Sequence, residues 1–102
     1  MVFKLASEHP KGVVGVLSFS PGEYFGSAFS VKVAAAKVAA PVFVTSASDA
    51  GEIAAAKAIV AAVPGQATQF VPKRGVHGSS TLRSDENPKG EAENWAANQG
   101  RW

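Results

Sequence analysis

Three segments of the chain have the length and residue types of strands, and the first two are almost entirely apolar. Residues 12–20, GVVGVLSFS, are apolar at almost every position, and PVFVTSAS follows at 41–48. Such continuous runs suit strands buried on both faces, as in parallel sheets. The third run, ATQFVPKR at 67–74, is more polar and contains Pro72, which predicts a strand near a sheet edge.

The clearest helical pattern covers residues 49–63. Ser48 or Asp49 can cap this helix, Glu52 lies in its first turn, and Pro64 ends it. One apolar stripe is expected along it, formed by Ile53, Ala56, Val60 and Val63.

Three further segments carry weaker helical patterns. Residues 1–9 predict the end of a helix, closed by Pro10, and residues 28–40 predict a short helix or an irregular crossover. A last helix is expected from about residue 91, with Trp95 as its one large apolar residue. The chain from residue 75 reads as a loop, and the C-terminal tail from about 84 is expected to be partly irregular.

Strands that alternate with helices predict an α/β fold with a three-stranded parallel sheet, flanking helices and right-handed connections. A chain of 102 residues predicts one domain over residues 1–102.

Composition narrows the possible functions. Without cysteine the chain has no disulfide, thiolate metal site or cysteine nucleophile, which fits a cytoplasmic protein. No apolar run is long enough for a membrane span, and no secretion signal is recognised. The net charge is only +2, and PKR at 72–74 predicts a solvated loop rather than a nucleic-acid contact. No cofactor is expected, and the spacing of His9, His77 and the carboxylates supports no metal site.

Asp49 and His77 are the candidate chemical pair. Asp49 follows the second predicted strand and His77 follows the third. Ligands collect at the carboxyl ends of parallel strands, so both side chains are expected at the same edge of the sheet. A carboxylate there can orient an imidazole that acts as a general base. The alternative is that Asp49 only caps a helix and His77 only lies in a loop.

Four segments together resemble the C-terminal half of an α/β-hydrolase, especially the dienelactone-hydrolase-like and small esterase branches. They are LASEHPKGVVGVLSFSPGEYF, KVAAPVFVTSASDAGEIAAAKAIVAAVPG, ATQFVPKRGVHGSSTL and AENWAA, and the resemblance covers roughly residues 4–97. The resemblance implies that Asp49 corresponds to the acid of a catalytic triad and His77 to its base.

The nucleophile of that family is missing from the pattern. The chain contains no G-x-S-x-G and begins after the position where this motif would stand, which implies a truncated α/β-hydrolase-like fold. None of the serines near the expected site, which are Ser18, Ser20, Ser79 and Ser80, lies on a tight glycine-flanked turn.

The missing neighbour would leave one edge of the strand at 12–20 open. We therefore expect a homodimer or higher oligomer, in which two copies meet through this strand and form one six-stranded sheet. The function expected first is a non-catalytic, self-associating remnant of a hydrolase, which could bind a small molecule near Asp49 and His77. One alternative is an ester or acyl hydrolase whose nucleophile comes from a partner chain or an unorthodox local serine. The other is an unrelated small binding domain.

Overall fold

Helices and strands alternate along the chain in a computed structural model that describes residues 2–9, 11–22 and 30–99. The elements are α1 (Val2–Glu8), β1 (Val16–Phe19), α2 (Val31–Ala35), β2 (Val42–Thr45), α3 (Ala50–Ala62), β3 (Ala67–Phe70), a 3₁₀-helix (Gly78–Leu82) and α4 (Glu91–Asn98). Pro10, most of the predicted turn at 21–27, and residues 100–102 lie outside the described residues.

The three strands form one parallel sheet in the order β1-β2-β3. The α/β class, the parallel sheet and the edge position of β3 are therefore confirmed. Each strand is shorter than its apolar run. The β1 ladder begins where the N–H of Val16 donates to the carbonyl of Pro41 over 2.9 Å. It ends at Ser20, whose φ of 52° takes the backbone out of the extended region.

Helices α1, α2 and α3 form one layer on one face of the sheet. Helix α2 contacts both α1 and α3, and all three helices contribute buried side chains to one core against the sheet. The core lies between this layer and the sheet, and its largest fully buried members are Phe3, Val38, Val44 and Ile59.

The buried stripe of α3 differs from the predicted one. Ala56, Ile59 and Val63 are buried, whereas Ile53 and Val60 are only half-buried. The prediction therefore missed Ile59. Alanines occupy most other positions of α3, so the hydropathy pattern gives little contrast between its faces.

The C-terminal part combines turns at 84–90 with helix α4 and is held by polar contacts. Helix α4 packs on the 3₁₀-helix and buries Asn94 and Asn98 completely, while Trp95 is exposed. The indole Nε1–H of Trp95 donates to the carbonyl of Leu82 over 2.7 Å. Within the described ranges, no helix is long and apolar enough to cross a membrane.

Candidate functional site

The loops that follow the three strands meet at the carboxyl edge of the sheet. Ser48, after β2, accepts the N–H of Gly75 at its Oγ over 2.7 Å and donates from that Oγ to the carbonyl of Pro72 over 2.9 Å. Ser20, after β1, accepts the N–H of Gly78 over 2.9 Å. The parallel order therefore brings the segments that carry Ser20, Asp49 and His77 to one edge, as the sequence predicts.

Asp49 caps α3. Its two carboxylate oxygens accept the backbone N–H groups of Gly51 and Glu52, each over 3.1 Å. An exposed carboxylate at this position satisfies two donors that the first helical turn leaves unpaired, and it also stabilises the positive end of the helix dipole. Of the two caps that the sequence allows, the structure therefore selects Asp49.

His77 pairs with Glu52. The imidazole Nδ1 contacts the Glu52 Oε1, and the side chain of His77 is 68% exposed whereas that of Glu52 is 17% exposed. The carboxylate that contacts this imidazole thus lies one turn into α3, three residues after Asp49. A catalytic role for Asp49 and His77 stays a prediction.

Sequence reasoning placed Glu52 only in the first turn of a helix and missed its contact with His77. No local signal pointed to this contact, because the spacing D-x-x-E resembles a capping box and so predicts a different partner for the glutamate. In that motif the glutamate reaches back to the backbone of the capping residue. Here Asp49 already accepts two N–H groups, and the Glu52 carboxylate contacts a loop from another part of the chain.

Among the described serines, Ser20 has an unusual backbone geometry. It is buried, its φ is 52°, and its Oγ accepts the Gly78 N–H. A non-glycine residue in the left-handed region costs about 1–2 kcal/mol, and such strain clusters at functional positions. Ser18 is also buried, in the middle of β1.

A cavity of about 360 Å³ lies beside Ser20 at the carboxyl end of β1. Residues 17–22 line one side of it, Val2 and Val31 belong to its apolar wall, and Ser79 adds a hydroxyl. The described part of this lining carries no charged side chain, which suits a small, uncharged and mostly apolar molecule. In the described part of the chain, no three histidine, aspartate or glutamate side chains converge as a metal site would require.

The outer side of β1, opposite β2, forms an open edge. Among the described strands, β1 pairs with β2 alone. Beside it, Val14 is 95% exposed and Leu5 of α1 is 59% exposed. A groove of about 180 Å³ runs between α1 and β1, and the described residues that line it are all apolar. Exposed apolar side chains next to an unpaired strand edge are typical of an interaction surface.

Comparisons with known proteins identified no relative of this chain. No protein-family model, no curated protein and no solved structure matches the chain. A relation to α/β-hydrolases therefore stays a prediction, which depends on the four sequence segments.

Proposed function

We propose that this chain is a self-associating α/β domain of α/β-hydrolase-like architecture that does not catalyse hydrolysis on its own. The observation that carries the proposal is the open edge of β1. Residues 12–20 contain no charged side chain and no proline, which are the usual means by which proteins prevent strand edges from pairing. A second copy supplies the same uncharged, extended edge.

The energetics favour association of moderate strength. Full burial of a Val or Leu side chain contributes about 1.5–3 kcal/mol, and Val14 and Leu5 are both available. Pairing also gives hydrogen-bond partners to the outward N–H and C=O groups of β1. Losing translational and rotational freedom opposes these gains by at least about 4 kcal/mol. We therefore expect a reversible dimer with a dissociation constant in the micromolar range.

The geometry at the carboxyl edge supports the non-catalytic part of the proposal. Both oxygens of Asp49 are engaged with the backbone of α3, and the imidazole of His77 contacts Glu52 instead. Ser20 is buried, and its hydroxyl oxygen accepts a backbone N–H. These contacts give each side chain a structural role.

Sedimentation velocity from about 1 to about 100 µM, the range where micromolar dimers dissociate, tests self-association. We expect the wild-type chain to pass from monomer to dimer across this range. Leu5→Lys places a charge beside the open edge and should leave the chain monomeric. Val33→Lys is the matched control, because Val33 on α2 is 57% exposed and does not line the groove beside β1.

Two results would count against the proposal. One is a wild-type chain that stays monomeric at the highest concentration. The other is equal loss of the dimer in Leu5→Lys and Val33→Lys, because that would place the contact elsewhere or reflect a general effect of added charge.

Hydrolysis of esters is the second candidate function, and the backbone of Ser20 favours it. In this reaction the Ser20 Oγ attacks the acyl carbon, the alcohol leaves with the proton that His77 took from the hydroxyl, and water then releases the acid. The assay is p-nitrophenyl acetate turnover by the wild-type chain, Ser20→Ala and His77→Gln. The first proposal expects equal background rates in all three, whereas loss of turnover by orders of magnitude in both variants would establish hydrolysis.

The parallel order of the strands also bears on the remaining alternative, an unrelated small binding domain. Strands that were not parallel neighbours would favour an unrelated small binding domain. Here β1, β2 and β3 are parallel neighbours in chain order.

A further inference from the structure

We infer that two copies pair antiparallel through β1, with a two-fold axis at Leu17 and perpendicular to the sheet. This inference rests on the proposed self-association and specifies its symmetry and register. The pairing places Leu17 of one copy opposite Leu17 of the other, and Gly15 opposite Phe19.

Hydrogen-bond directions along β1 identify the groups that are free to pair. Val16 donates its N–H to Pro41 and Ser20 donates its N–H to Thr45, over 2.9 and 2.7 Å. Successive residues of a strand point their backbone groups to opposite sides. The backbone N–H and C=O groups of Val16, Ser18 and Ser20 therefore face β2. Those of Gly15, Leu17 and Phe19 face the open edge.

Symmetry then restricts the arrangement. A closed pair that uses the same edge of both copies is isologous, so the two strands run antiparallel around a two-fold axis. An axis at Ser18 would place Pro21, which has no N–H, in the ladder. An axis at Val16 would require Val13, which packs against the core. Only an axis at Leu17 matches the outward residues with one another and with no others.

Side-chain shapes agree with this register. Gly15 has open space beside its Cα, where a Cβ would come no closer than 3.7 Å to another atom, and it lies opposite the large Phe19 of the second copy. The axis is perpendicular to the sheet, so both helix layers lie on the same face and α1 of one copy approaches α1 of the other. Leu5 can then enter the apolar groove between α1 and β1 of the second copy.

The absence of charge favours a second copy as the occupant, and the small area limits the strength of the pairing. Residues 12–22 carry no charge, so the edge offers nothing to a partner recognised through ion pairs. A stable interface buries about 800 Å² on each partner, and a few exposed side chains with one short strand fall below that area. The expected complex is therefore a reversible dimer.

Single-cysteine variants test the register, since the natural chain contains no cysteine. Hydrogen-bonded residues opposite each other have Cα atoms about 5.5 Å apart, within the range that a disulfide spans. Under mild oxidation at a concentration where the chain is dimeric, we expect Leu17→Cys to form a covalent dimer. Its rate should exceed that of Val33→Cys by on the order of a hundred-fold, because pairing raises the local concentration from about ten micromolar to about one millimolar.

A mixture of two other cysteine variants tests the register independently of any local effect at position 17. Gly15→Cys mixed with Phe19→Cys should form the heterodimeric disulfide, and each variant alone should not. If sedimentation shows dimers but neither Leu17→Cys nor this mixture cross-links, the register is wrong and self-association stands. If Gly15→Cys cross-links alone, the axis lies elsewhere on the strand. If the chain is monomeric throughout, both the register and the proposed function fail.

Discussion

The backbone N–H of Gly78 donates to the Oγ of Ser20 over 2.9 Å, which joins two loops that are 58 residues apart in the chain. The bond links the end of β1 to the residue after His77, although β2 and β3 lie between them in the sequence. The left-handed backbone of Ser20 accompanies this contact. The hydroxyl therefore helps to position the loop that carries His77.

Substitution of Ser20 separates the backbone strain from the hydrogen bond. Ser20→Ala keeps the left-handed backbone and loses the acceptor, so we expect it to lower the free energy of unfolding by about 1 kcal/mol. Ser20→Gly loses the same acceptor but relieves the strain, and it should be more stable than Ser20→Ala by about 1 kcal/mol. Urea unfolding measures both. An alanine variant as stable as the glycine variant would contradict the left-handed conformation.

Replacement of Asp49 tests its role as a cap. Asp49→Ala leaves the N–H groups of Gly51 and Glu52 without their acceptors and should reduce the free energy of unfolding by about 1 kcal/mol. Asp49→Asn is the control, because asparagine caps helices about as well as aspartate. In thermal and urea unfolding, Asp49→Asn should have a stability close to that of the wild type. Equal destabilisation in both variants would show that the charge of Asp49 matters more than its capping bonds.

Gly90 is expected to tolerate no side chain. A Cβ at this position would collide with the carbonyl oxygen of Arg74 and lie 2.7 Å from the Nδ2 of Asn87. Because the first obstacle is backbone, Gly90→Ala should cost about 3 kcal/mol or more. Gly12→Ala meets no atom within 4 Å and should leave the stability unchanged or raise it by a few tenths of a kcal/mol. A mild effect at Gly90 in calorimetry would mean that the contact with Arg74 is looser than described.

Substitution by leucine should have opposite effects on the free energy of unfolding at two buried asparagines. The Nδ2 of Asn87 donates to the carbonyls of Arg74 and Thr81, each over 3.0 Å. Asn87→Leu strands the carbonyl of Thr81, whereas that of Arg74 still accepts from the Nδ2 of Asn94 over 3.0 Å, so the substitution should cost about 1–3 kcal/mol. Asn98 donates only to the carbonyl of Asn94 in its own helix, and its buried Oδ1 has no hydrogen-bond partner. Asn98→Leu should therefore be neutral or stabilising by about 1 kcal/mol. Denaturant midpoints compare the two, and equal losses would contradict the difference.

Part of the candidate site follows from sequence patterns that act locally. A polar capping residue before an alanine-rich helix is sufficient to place Asp49 at the start of α3. A histidine between glycines after the third apolar run is sufficient to place His77 at the carboxyl edge. The partner of His77 was missed because a side-chain contact between residues 25 positions apart depends on the relative position of α3 and the loop after β3.

By itself the sequence determined the α/β class, the three parallel strands in chain order and the start of α3 at one of two candidate caps, because hydropathy period and helix capping are short-range properties. Only the tertiary structure decided that His77 contacts Glu52, that Ser20 bends out of β1 to meet Gly78, and that α4 buries asparagines while Trp95 is exposed. Each of these depends on which groups come together across the fold. Hydrogen bonds and packing of that kind form between residues that no local pattern in the chain relates.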